Sequence, residues 1–151
     1  MIPKDIKTVL DQHDLEAIEF EEGSTPTALT AAEKLGVEVG QIAKSILMKG
    51  KNGSFFLVVC AGDKRVVSSE MKKLTGTKVR MATADELMDR LGFNPGEVCP
   101  FREGDVTLFI DRSLDAWPVV YPAAGTDSSG VPLSYEKLLD VTGGDECSVT
   151  G

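Results

Sequence analysis

Histidine is almost missing from this chain. Among 151 residues only His13 occurs, so a Cys-His or Ser-His-Asp catalytic set would have to use it. It follows Ile6, Val9 and Leu10, which recur at helical spacing, and reads as a surface or helix-end residue. Cysteine is scarce too. Cys60, Cys99 and Cys147 are odd in number and far apart, with no C-x-x-C pair and no metal-ligand spacing. Reduced thiols, no metal and no cofactor are the expectation. No Walker loop and no G-x-G-x-x-G is present. No apolar run approaches the roughly 18 residues of a membrane span. The N-terminal Met1-Ile2-Pro3-Lys4-Asp5 lacks an apolar signal region. These absences point to a soluble, cytoplasmic protein with no membrane partner.

What is present suits one domain over residues 1–151. Hydrophobic residues make up 42% and charged residues 26%, an ordinary globular balance that can form a core without disulfides. The net charge of −8 argues against a general nucleic-acid or DNA binder. Its distribution is uneven. Residues 44–80 hold nine Lys or Arg against Asp63 and Glu70, a local charge of 9 − 2 = +7, which leaves −8 − 7 = −15 on the rest. Such a segment is either the solvated edge of strands and helices or a phosphate-binding face.

Along the chain, a first helix is followed by an alternating strand over Leu15 to Phe20. Ser24-Thr25-Pro26-Thr27 reads as a turn with capping side chains, and a helix then runs to Leu35 and stops at Gly36. Ile42 to Met48 and Phe55 to Cys60, parted by Gly50-Lys51-Asn52-Gly53, predict a hairpin. A helix over Ser68 to Leu74 and a short strand over Lys78 to Met81 follow. Thr83 with Glu86 predicts a capping box for a helix ending at Gly92. Val106 to Ile110 and Val119 to Tyr121 read as strands, and Tyr135 to Val141 as the last helix. Strands and helices do not alternate regularly, so the expected class is α+β: a mixed, mostly antiparallel sheet with helices around it.

Two features could carry chemistry. Gly92-Phe93-Asn94-Pro95-Gly96-Glu97-Val98-Cys99-Pro100-Phe101 holds two glycines and two prolines and cannot be regular structure. It is either a tight structural turn or a fixed array of backbone N–H groups facing a carbonyl or its oxyanion. Lys44 shares a strand face with Ile42 and Ile46. A buried unpaired ammonium is costly, so Lys44 either snorkels from the sheet end or lines a pocket and meets a ligand. Paired acids such as Glu21-Glu22 and Glu103-Asp105 read as solvated loop charge.

Three stretches together resemble the YbaK/ProX family, the prolyl-tRNA synthetase-associated or insertion-type editing domain. Thr30 to Val37 followed by Gln41 to Leu47 is similar to its helix and lysine-bearing strand. Gly92 to Phe101 is similar to its G-x-x-x-P loop. Phe109-Ile110-Asp111, Ala123-Ala124-Gly125 and Leu133 to Leu139 are similar to its C-terminal strand, small-residue segment and helix. The resemblance implies a barrel-like sheet. It implies hydrolysis of the ester joining a wrong amino acid to the tRNA 3′ adenosine, by backbone dipoles and substrate assistance, without metal. It implies mischarged tRNA, typically tRNA for proline, and prolyl-tRNA synthetase as partners. Carried over, Lys44, Gly96, Glu97, Val98, Cys99 and Pro100 are the catalytic set. Thr25, Thr27, Ala123, Ala124 and Gly125 are the substrate-binding set. The sequence departs from relatives that carry a histidine near Ala123, and Arg102 stands where glycine often follows the loop. Few polar groups at Ala123 to Gly125 lead us to expect a small amino acid: alanine, cysteine or serine. The alternative is a non-catalytic tRNA- or synthetase-binding module of the same fold.

Overall fold

The structure is a computed structural model, and it describes residues 1–102 and 104–151. Glu103, read above as solvated loop charge, lies outside the described residues. Five α-helices are described: α1 (Lys4–Gln12), α2 (Ala28–Leu35), α3 (Ser68–Thr75), α4 (Ala84–Leu91) and α5 (Tyr135–Thr142). The strands are β1 (Ile18–Glu19), β2 (Ala43–Gly50), β3 (Phe55–Ala61), β4 (Val79–Met81), β5 (Thr107–Asp111), β6 (Ser129–Gly130) and β7 (Asp145–Cys147).

Local chemistry explains the helix limits. Thr27 caps α2 in a capping box with Thr30, and Thr83 caps α4 in one with Glu86. Gly36, Gly76, Gly92 and Gly143 close α2, α3, α4 and α5 in left-handed conformation. His13 is the C-terminal cap of α1.

The main sheet has the order β4-β2-β3-β5-β7. β2 pairs antiparallel with β3 and β4, whereas β3–β5 and β5–β7 are parallel. Two expectations are therefore corrected. The sheet is as much parallel as antiparallel, and it does not close into a barrel. Its edges, β4 and β7, lie at opposite ends of the order and are three residues each, too short and too few in company to curl round and pair. Val119 to Tyr121 is not a strand: Val120 bridges Leu133 and Tyr121 bridges Ile42, each in isolation. β1 is only two residues and pairs with β6, which the sequence pattern did not announce.

Alternation along β2 and β3 builds two cores. Ala43 and Leu47 face Leu57, Val59, Ala61 and the buried sides of α1, α4 and α5. Met48, Phe56 and Val58 face the other way, against Met71 of α3, Val79, Phe109 and Val149. Lys44 lies on this second face and Ser45 on the first. No helix among the described residues is long and apolar enough to cross a membrane.

Candidate active site

A cavity of about 140 Å³ opens at the start of β2. Its walls are the turn at Thr25 to Thr27, the first turn of α2, Ile42 with Ala43, Lys44 and Ser45 of β2, Gly96 and Val98 of the glycine-rich loop, and Tyr121, Ala123 and Ser129. The N-terminal end of α2, the positive end of its dipole, thus borders the space.

The loop wall is rigid for identifiable reasons. Phe93, Cys99 and Phe101 are buried in the core and pin its length. Asn94-Pro95-Gly96-Glu97 forms a turn: the Glu97 N–H donates to the Asn94 carbonyl at 3.1 Å, and the Asn94 N–H donates to Glu97 Oε1 at 2.7 Å. Proline then glycine, with Gly96 at φ +91°, matches a type II turn. Arg102 clamps the far end to α1 through two bonds to Asp5, 2.9 and 3.0 Å, and its guanidinium stacks on Phe93 at 4.3 Å. The Arg102 bond holds the Asp5 carboxyl below its usual range. Among the described residues, nothing accepts a hydrogen bond from the N–H of Gly96 or Val98.

Lys44 combines both sequence readings. Its Nζ donates to the carbonyls of Gly62 and Lys64 just beyond β3, and the residue also lines the cavity. An ammonium has three donors, and two of them are engaged here. Two further hydroxyls, Thr25 Oγ1 and Ser45 Oγ, are buried without a hydrogen-bond partner among the described residues. Both residues line this cavity.

The structure thus brings Lys44, Gly96, Val98, Thr25, Thr27 and Ala123 together. It does not bring the other anticipated side chains there. Glu97 closes its own turn. Cys99 points into the core, and Pro100 lines a separate cavity of about 290 Å³ beside Val9 and Val141. Ala124 is buried, its N–H donating to Ser129 Oγ at 3.0 Å. Gly125 packs beneath α1, where a Cβ would come within 2.3 Å of Ile6. Thr27 spends its hydroxyl on the α2 cap. Sequence reasoning missed Ser45, Tyr121 and Ser129; Ser45, directly after the lysine on a strand end, was the one with a readable signal.

No carboxylate, histidine or thiol lines the cavity among the described residues. Burial pushes the Cys99 thiol up to about 12, Cys147 to about 12 and Cys60 to about 11. Thiols at such values are not nucleophiles near neutrality. A consequence can be measured. An unfolded cysteine titrates near 8.5; a raised folded value contributes stability that is complete below that pH and is lost as pH rises through the folded value. The urea midpoint is therefore expected to decline above about pH 9, with native Cys99 alkylated far more slowly than unfolded chain. Rapid alkylation of native Cys99 at pH 8 with loss of activity would overturn this.

Fold and cavity define a small α+β domain whose cavity is bordered by a lysine, a glycine-rich loop and a helix N-terminus, with no carboxylate, histidine or thiol in its lining among the described residues. The sequence pattern of the family described as "Aminoacyl-tRNA editing domain" matches residues 22–141. The chain belongs to this family, and is by class an aminoacyl-tRNA hydrolase. Protein YwhH of Bacillus subtilis (strain 168) is 33% identical over 140 residues, covering 91% of this chain and 88% of that protein. Proline–tRNA ligase of Staphylococcus haemolyticus is 33% identical over 101 residues, 64% of this chain but only 18% of the ligase. Among solved structures, a proposed trans-editing enzyme for prolyl tRNA synthetase superposes with a TM-score of 0.87 at 28% identity, covering 100% of this chain and 99% of that one. The hypothetical protein APE2540 gives 0.89 at 27% identity, covering 98% and 100%.

Proposed function

We propose that residues 1–151 form one trans-editing domain. It hydrolyses the ester between a small wrong amino acid and the 3′ adenosine of a mischarged tRNA, with tRNA for proline the favoured substrate. The observation that carries this reading is the pair of unengaged N–H groups at Gly96 and Val98, on the same small cavity as Lys44. Water attacks the ester carbonyl, and negative charge gathers on its oxygen. The two amides and the third donor of Lys44 meet that charge, in a site where donors need not reorganise. The C–O bond to the ribose then breaks, releasing the amino acid and the 3′ hydroxyl end. With no carboxylate or histidine in the cavity walls among the described residues, the attacking water passes its proton to solvent, or to the vicinal ribose hydroxyl as that hydroxyl hands its own proton to the departing 3′ oxygen.

Size favours alanine, serine or cysteine as the group removed. A cavity of about 140 Å³ matches the roughly 150 Å³ that admits one benzene, so the adenosine stays outside. Thr25 and Ser45 offer their unpartnered hydroxyls to the α-ammonium or a polar side chain. Prolyl-tRNA synthetase, which produces the mischarged species, is the natural partner for action in trans. The test is a deacylation screen across mischarged tRNAs, beginning with alanyl-, seryl- and cysteinyl-tRNA for proline. Hydrolysis of one or more above the spontaneous rate is expected. Tight tRNA binding with no hydrolysis of any would replace this reading with a binding module.

A further inference from the structure

The main sheet carries one strongly basic side, of which the cavity uses only Lys44. Sixteen Lys and Arg occur in the chain. Eight of them form ion pairs among the described residues: Lys7, Lys49, Lys73, Arg80, Arg90, Arg102, Arg112 and Lys137. The other eight are not scattered. Lys44, Lys51, Lys64, Arg65, Lys72 and Lys78 all fall between residues 44 and 80, leaving only Lys4 and Lys34 elsewhere. All of the six except Lys44 are exposed.

The fold strings these cations into one band that starts at the cavity. Lys44 Nζ bonds the Lys64 carbonyl, which sets Lys64 and Arg65 beside the mouth. From there the chain enters α3, which packs Met71 against Met48 and Val58 on the Lys44 side of the sheet and carries Lys72 in its last turn. Beyond α3 the chain meets the far end of β2, where the Lys51 N–H donates to the Lys78 carbonyl. Lys49, Lys51, Lys78 and Arg80 line a groove there. From Lys44 to Gly50 the strand advances about 20 Å at ~3.3 Å per residue. A helical nucleic acid carries a phosphate every few ångströms along each strand, so such a band spans several of them. The remainder of the chain, at −15, would repel the same ligand.

Resting on the reading of the cavity as the site of the aminoacyl end, we propose that this band, from Lys64 and Arg65 across Lys72 to Lys51 and Lys78, is the track for the acceptor-stem phosphates of the tRNA. It confers affinity and orientation and leaves discrimination of the amino acid to the cavity. Binding is therefore steeply salt-dependent despite the acidic net charge.

Two charge-matched double variants test it. Lys51→Glu with Lys78→Glu and Lys4→Glu with Lys34→Glu both take the net charge from −8 to −8 − 4 = −12. Affinity for uncharged tRNA is read by fluorescence anisotropy across a salt series, and deacylation is measured on full mischarged tRNA and on an aminoacylated CCA trinucleotide. The first variant is expected to raise Kd and KM for full tRNA about tenfold or more and to flatten the salt slope by about 2. It should leave kcat and trinucleotide hydrolysis as in wild type, and the second variant should change Kd by less than about twofold by comparison. Equal effects of the two variants, or an unchanged Kd for Lys51→Glu with Lys78→Glu, would overturn the band while leaving the cavity reading intact. Absence of hydrolysis of every aminoacylated substrate by wild type would instead overturn the cavity reading, and the anisotropy arm would still decide the band.

Discussion

Lys44→Ala is expected to lower kcat/KM for deacylation of mischarged tRNA by about 100- to 1,000-fold, the usual cost of removing one donor from a preorganised oxyanion site. The substitution deletes the only cation on the cavity wall among the described residues. It should act mainly on kcat, because the charge Lys44 meets exists fully only as the ester carbonyl becomes tetrahedral. The fold should survive. The carbonyls of Gly62 and Lys64, which lose their partner, lie at a part-buried and an exposed position where water can replace the ammonium. A stability loss of about 1 kcal/mol is expected, or a Tm lower by roughly 2–4 °C. Lys44→Arg should rescue little, since a planar guanidinium cannot bond the same two carbonyls and still present a compact third donor. Single-turnover deacylation alongside thermal melts by circular dichroism would check both halves. A folded Lys44→Ala protein with wild-type rate would remove Lys44 from the chemistry.

Lys44 was legible in the sequence because it breaks a local rule. A charged residue between Ile42 and Ile46 on one strand face conflicts with burial, and that conflict can be seen from seven letters. The helix limits were legible for the same kind of reason: Thr27, Thr83 and the closing glycines act on neighbours three or four residues away. The parallel half of the sheet was not. β7 is Asp145-Glu146-Cys147, whose two exposed acids read as loop, and its place beside β5 is set by Asp111. The Asp111 carboxylate accepts from the Val149 N–H at 2.7 Å and from the Thr150 hydroxyl at 2.8 Å. Such pairing across nearly forty residues leaves no local pattern. The barrel expectation came from resemblance alone, and short edge strands overturn it.

The site divides along the same line. Gly96 and Val98, which line the cavity, were singled out through a cluster of turn residues. Tyr121 and Ser129 are ordinary in sequence and line the cavity only because β1–β6 pairing and the isolated bridge of Tyr121 to Ile42 bring their segments in. Cys99 and Pro100 show the converse. Their neighbours Gly96 and Val98 line the site cavity, while Cys99 packs in the core and Pro100 lines a separate cavity. Within one five-residue stretch, then, some residues line the cavity and others face the core.

Gly96→Ala is the sharper test of the backbone donors. Gly96 sits at φ +91°, and an added Cβ would lie 3.3 Å from Pro26 Cβ and from the Pro26 carbonyl oxygen. Alanine in a positive-φ position costs roughly 1–2 kcal/mol. The turn has an obvious escape. Types I and II differ in ψ of the second residue and φ of the third, which is to say in the direction of the peptide between them. Here that peptide joins Pro95 to Gly96, and its N–H belongs to Gly96, which lines the cavity and has no acceptor for it among the described residues. Relief of the strain by a flip to type I would turn this donor away from the ligand and point the Pro95 carbonyl towards where it had been. An acceptor would then face the developing oxyanion. The expected result is a fall in kcat of about 100-fold or more, with a small change in KM and a Tm lower by a few degrees, roughly what 1–2 kcal/mol gives in a chain of this size. Pro95→Ala keeps the glycine and is expected to retain most activity. If Gly96→Ala and Pro95→Ala lose equal activity, the cost is general loosening of the loop. If only Gly96→Ala loses it, with near-ultraviolet circular dichroism unchanged, the direction of one peptide plane accounts for the loss.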